Sequence, residues 1–125
     1  GLLVHTFWII GYPGETYEEI QKTIDFAMNS GADSFTFSVL TPLSGTPVYR
    51  QVLKENLWWD GKETQNTLRS SLIKVDGFKG PIEFENFVNE TNIKANLLLK
   101  KRDPKRFDYK YGVRKKEEST FVKQT

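Results

Sequence analysis

The chain has 125 residues, 38% hydrophobic and 27% charged, with a net charge of +2, one histidine and no cysteine. This is a globular, soluble composition, too short for a complete (βα)8 barrel of roughly 200 residues or more and without the roughly 20 consecutive apolar residues of a membrane span. The cysteine count excludes disulfides and thiolate metal sites within the chain, and a single histidine argues against zinc.

The first predicted element is a strand over Leu2–Ile10. It is β-branched, aromatic and apolar on both faces, the pattern of a parallel strand buried on both sides. Gly11-Tyr12-Pro13-Gly14 breaks it, because the glycines allow positive φ and Pro13 removes a donor. Thr16 with Glu19 three residues later is a capping box, and Glu15, Glu18 and Glu19 suit the positive end of a helix dipole. A helix is therefore expected from Tyr17 to Ser30. Tyr17, Ile20, Ile24, Ala27 and Met28 share its apolar face, and Gly31 follows its end.

Asp33–Leu40 alternates, with Phe35, Phe37 and Val39 against Ser34, Thr36 and Ser38. The intervening helix makes a parallel crossover the default. In a parallel barrel the aromatic face would pack on outer helices and the Ser/Thr face would line the interior; an exposed antiparallel strand is the plainer alternative. After Thr41-Pro42-Leu43-Ser44-Gly45, Thr46 caps a second helix with Pro47 at its first position and Val48, Val52 and Leu53 as its stripe. Both glycine turns fall at the carboxyl ends of strands, where parallel α/β sheets bind ligands.

Trp58 and Trp59 call for packing partners. Ser71–Val75 reads as a short strand and Asp76-Gly77 as a turn. A long helix is expected over Ile82–Arg102, with Phe84, Val88, Thr91, Ala95, Leu98 and Leu99 on one face, stopped by Asp103-Pro104. Three segments follow: 1–56, an α/β part; 57–104, a mainly helical extension; and 105–125, a basic tail expected to fray. Residues 1–56 carry three bases against six acids, net −3; the rest carries fifteen against ten, net +5.

Catalytic constellations are sparse. There is no P-loop and no G-x-G-x-x-G. His5 would have to serve any triad, yet it sits within a strand, where a satisfied core or lumen histidine is the expected reading. Glu15 is expected to pair with the helix dipole. Lys100–Lys116 holds nine bases against two acids, interleaved with Phe107, Tyr109 and Tyr111. This would suit phosphate contact and base stacking, so a nucleic-acid-binding module is the alternative function; a solvated tail is the simpler reading.

The stretch "FWIIGYPGETYEEIQKTIDFA" resembles the fifth strand and helix of radical S-adenosylmethionine (SAM) enzymes, and "FSVLTPLSGTPVY" resembles the next strand and turn. The nearest match is the cobalamin-dependent branch, which includes the anaerobic magnesium-protoporphyrin monomethyl ester cyclases. The resemblance covers residues 1 to 56 well, and "ANLLLKKRDPKRF" only weakly resembles the helical extension.

It implies the last β-α-β units of a partial (βα)6 radical SAM barrel plus a mainly helical C-terminal extension. It also implies an enzyme, of oxidoreductase/cyclase or methyltransferase type, that cleaves SAM at a 4Fe–4S cluster to start radical chemistry, with a tetrapyrrole as one candidate substrate and cobalamin as a candidate cofactor. Three cysteines in a CxxxCxxC loop hold the family's cluster, and this chain has none, so it should bind no metal and have no catalytic residue by itself. By resemblance, Ile9 and Gly11 lie beside the SAM adenine, and Thr41, Pro42 and Leu43 border the same pocket. Phe7 stands where the family usually has glycine. The implied partner is a missing N-terminal part of the same chain. With the edge of the first strand open, self-association is also expected. The expected compartment is the cytoplasm, with no membrane partner.

Overall fold

The structure is a computed structural model, and it describes residues 2–59 and 70–105. The element order is β1 (His5–Ile10), α1 (Tyr17–Met28), β2 (Ser34–Val39), α2 (Pro47–Lys54) and α3 (Pro81–Arg102). β1 and β2 form a two-stranded parallel sheet in the register His5↔Ser34 to Ile10↔Val39. The antiparallel alternative for β2 is thereby removed.

The helix signals act as their chemistry requires. The Glu19 N–H donates to Thr16 Oγ1 at 3.2 Å, and the Thr16 N–H donates to Glu19 Oε2 at 3.0 Å. This completes the capping box of α1. The Tyr49 N–H donates to Thr46 Oγ1 at 3.2 Å, and Pro47 opens α2. α1 ends at Met28, two residues short of Ser30, because Asn29 is its C-cap. The strands are shorter than their apolar runs: Leu2, Leu3, Val4, Asp33 and Leu40 lie outside them.

Strand alternation divides the sheet into two unlike faces. Thr6, Trp8, Ile10, Phe35, Phe37 and Val39 share one face by register, and α1 and α3 pack over it. Ile20, Ile24 and Ala27 from α1 and Phe84, Val88, Ala95 and Leu99 from α3 complete this core. His5, Phe7, Ile9, Ser34, Thr36 and Ser38 share the other face, which no described element covers. Phe7 is 75% exposed and Ile9 55%. The expectation of a β1 buried on both sides is therefore corrected for the described residues: only its helix side is covered.

A second core of Leu40, Val52, Trp58, Leu72 and Ile73 gathers beyond the carboxyl ends of the strands. Trp58 is buried here, while the Trp59 Nε1–H donates to Ser71 Oγ at 3.0 Å. The strand expected over Ser71–Val75 reduces to a single antiparallel bridge, Trp58↔Ile73. Of the expected apolar faces, Tyr17 and Leu53 are exposed and Leu98 is half-buried. Asp76-Gly77 is a turn, with Gly77 at φ 88°. No helix among the described residues is long and apolar enough to cross a membrane.

Candidate functional site

Parallel strands end on the same side, so the turns after β1 and β2 leave one common edge. The ladder runs right to that edge: the Leu40 N–H donates to Ile10 O at 3.0 Å. Gly11–Thr16 and Thr41–Thr46 therefore start side by side. These turns carry four of the five residues singled out from the sequence, and Ile9 lies just before the first.

The five do not all face one way. Ile9 is opposite Ser38 on the open face. Gly11 turns the chain at φ 92°, and a Cβ placed there would point to the helix side, 2.9 Å from Phe84 Cε1. Positive φ thus breaks the alternation that would have set Gly11 on the face of Ile9. The Gly11 N–H donates to Glu15 Oε1 at 2.9 Å, and the Glu15 N–H donates to Tyr12 O at 2.9 Å. The Gly11 donor is therefore turned inward and engaged. Glu15 closes the turn, a more specific role than pairing with a helix dipole. Sequence reasoning missed this bond, although a carboxylate four residues after a turn glycine is its signature.

Thr41 is half-buried, and its Oγ1 is buried with no hydrogen-bond partner. A buried hydroxyl left unpaired costs about 1–3 kcal/mol, so its position calls for a group that the described residues do not supply. Pro42 beside it is buried, and Leu43 is exposed. The following turn is closed locally: Thr46 N–H and Oγ1–H both donate to Leu43 O, at 3.2 and 2.7 Å.

On the open face, His5 Nδ1 hydrogen-bonds Ser34 Oγ at 2.6 Å and Nε2 hydrogen-bonds Thr36 Oγ1 at 3.1 Å. Both ring nitrogens are engaged and the ring covers Ser34, which is fully buried. The Phe7 ring meets the imidazole edge-on at 4.5 Å. Of the core or lumen histidine expected from the sequence, the hydrogen-bonded state is observed. The face as a whole has hydroxyls and apolar groups but no Asp, Glu, Lys or Arg.

No group of three or more His, Cys, Asp or Glu among the described residues could hold a metal ion. Lys100, Lys101 and Arg102 occupy the last turn of α3, and the Arg102 Nη1–H donates to Met28 O at 2.8 Å. Residues 106–116 of the basic segment lie outside the described residues.

Comparison with curated proteins gives partial matches of low identity. The chain is 32% identical over 85 residues to a cytidylyl-2-hydroxyethylphosphonate methyltransferase from Streptomyces wedmorensis, covering 62% of this chain and 16% of that protein. It is 40% identical over 50 residues to an uncharacterized methyltransferase from Pyrococcus horikoshii, covering 40% of this chain and 11% of that protein. Both relatives are methyltransferases. The chain spans less than a fifth of either one's length. No protein-family model matches the chain, and no solved structure matches it.

Proposed function

We propose that the chain is the C-terminal part of a radical SAM enzyme of methyltransferase type, contributing the last two strands of a partial (βα)6 barrel and a helical extension. One observation carries this reading. The two turns with the radical SAM-like motifs leave a single carboxyl edge side by side, and one of them presents a buried hydroxyl, Thr41 Oγ1, that lacks a partner. The similarity to two methyltransferases supports the reaction class. The open, uncharged face of β1 and β2 supports a barrel interior, since hydroxyls there can orient a ligand while Phe7 and Ile9 pack on it.

The residues fit SAM in part. Thr41 Oγ1 would hydrogen-bond the adenine edge, Pro42 and Leu43 would border it, and Ile9 would pack against it from the open face. Gly11 contributes shape and not a donor, because its N–H belongs to Glu15. SAM bound there beside a reduced 4Fe–4S cluster would supply radical hydrogen abstraction. The cluster's thiolates would have to come from outside this sequence, which has no cysteine. Cobalamin, as the methyl carrier of this branch, would likewise sit on other parts of the enzyme. The preceding part of the same chain would supply the strand that pairs with β1.

The test is the coding sequence upstream of Gly1. An in-frame CxxxCxxC roughly 100–150 residues upstream, by the spacing of barrel strands, is the expected result. The intact protein, reconstituted without oxygen, should then release 5′-deoxyadenosine from SAM in the presence of a one-electron reductant. A reading frame that starts just before Gly1 would overturn the proposal.

A further inference from the structure

The sheet has two edges, and they are unlike. Val4 O accepts from the Ser34 N–H at 3.3 Å and Ile10 O from the Leu40 N–H at 3.0 Å. Even-numbered residues of both strands thus turn their peptide groups towards the shared ladder, and odd-numbered residues turn theirs outward. On the outer edge of β2, Phe37 meets one side chain twice: its N–H donates to Asn92 Oδ1, and Asn92 Nδ2–H donates to its C=O, both at 2.9 Å. A side-chain amide has the donor and acceptor of a peptide. Asn92 therefore stands where a third strand's backbone would stand.

α3 runs along this edge. Phe84 lies against Gly11 at the carboxyl end of the strands, and Arg102 reaches Met28 at the end of α1. One helical turn beyond Asn92 is Asn96, whose Oδ1 is buried but accepts no hydrogen bond, so the edge contact is made at Phe37. Four helical residues rise about 6 Å and two strand residues about 6.6 Å, so Asn96 comes level with Phe35, the next outward-facing residue of β2. Among the described residues nothing comparable meets Phe7 and Ile9 on the outer edge of β1. Phe7 and Ile9 turn their peptide groups outward there, and both are exposed.

We propose that Asn92 is an edge lock that makes β2 the terminal strand, so that extended segments add to this sheet through β1 alone. For the 125-residue chain by itself the occupant of β1 is a second copy. Antiparallel pairing that sets Phe7 opposite Ile9 of the other copy uses the N–H and C=O of both residues and brings their apolar side chains together. Because each partner's β2 edge is locked, the pair is closed and no further copy can add. In the longer enzyme proposed above, the strand preceding β1 takes the same edge. The lock itself does not depend on that reading.

The experiment is sedimentation velocity on the full 125-residue chain over a hundredfold concentration range, with hydrogen exchange at single amides. The wild type should approach a dimer and stop there. Phe7→Pro removes an outward N–H while sparing the ladder to β2, and should give monomer. Asn92→Ala should grow beyond the dimer with concentration, and the double variant should return to a dimer through the opened β2 edge. Should Asn92→Ala fail to fold, the wild type still decides: its Phe37 amide should exchange within tenfold of the Leu40 amide. The inference is overturned if the wild type grows past two copies or stays monomeric throughout. A Phe37 amide that exchanges as an open one, or a folded Asn92→Ala with an unchanged mass distribution, would also overturn it.

Discussion

A Cβ on Gly11 would sit 2.9 Å from Phe84 Cε1 and 3.0 Å from its Cζ, at a backbone φ of 92°. Two separate demands thus fall on one position. Gly11→Ala should cost about 2–5 kcal/mol, summing left-handed strain and overpacking. Urea unfolding measures it. Phe84→Leu in the same chain should relieve the overpacking and leave the strain, so the double variant should be less destabilised than the sum of the two. Strict additivity would show that Phe84 is not what the added methyl meets.

Glu15 accepts the Gly11 N–H at 2.9 Å, and Gly11 is buried. Glu15→Gln keeps an amide oxygen for that bond and should cost less than about 1 kcal/mol, under the net worth of a typical hydrogen bond. Glu15→Ala strands a buried donor and should cost about 1–3 kcal/mol. Equal effects of the two substitutions would assign Glu15 a purely electrostatic role.

Thr41 gives a prediction with opposite signs in two assays. Thr41→Val replaces an unpaired buried hydroxyl by a methyl of the same shape, so the chain should become about 1 kcal/mol more stable to urea. In the intact enzyme the same change should weaken SAM binding by about 5- to 30-fold, the worth of one hydrogen bond of 1–2 kcal/mol. Equilibrium binding of SAM checks this. Unaltered affinity would remove Thr41 from the adenine site and leave its hydroxyl a packing defect.

The capping box should behave as a unit. Thr16→Ala should cost about 1 kcal/mol, and Glu19→Ala about the same. Because each side chain bonds the other residue's backbone, the double variant should cost less than the two added together. Thermal unfolding of the four chains closes the cycle.

The elements that could be read in the sequence are those whose signals are local. Thr16 with Glu19 sets the start of α1, and Thr46-Pro47 sets the start of α2, within four residues of the signal itself. The alternation of β2 correctly assigns Phe35, Phe37 and Val39 to the helix-covered face. Apart from the Gly11–Glu15 bond, what escaped detection depends on residues far apart in the chain. Phe84 and Gly11 are 73 positions apart, and Asn92 and Phe37 are 55 apart. An asparagine in mid-helix has no periodicity to mark it, since it belongs to neither the apolar stripe nor the charged face. β1 misled for another reason. Phe7 and Ile9 have the apolar character of buried residues, yet no described element covers them. Their composition calls for a neighbour that the described residues do not supply. Ser71–Val75 reads as a strand because Leu72, Ile73 and Val75 are apolar and a turn follows; those residues are buried in the two cores, and only Ile73 has a bridge partner.

α3 is held at both ends, by Phe84 beneath the first turn and by Arg102 at the carbonyl of Met28, with Asn92 fixed between them. Each residue of a helix advances about 1.5 Å and rotates about 100°. Deleting or inserting one residue between Phe84 and Asn92 would swing one contact away from the sheet whenever the other stayed seated. Substitutions on the exposed side of α3 leave that phase intact. Across related sequences α3 should therefore vary in its letters while its length between these anchors stays constant.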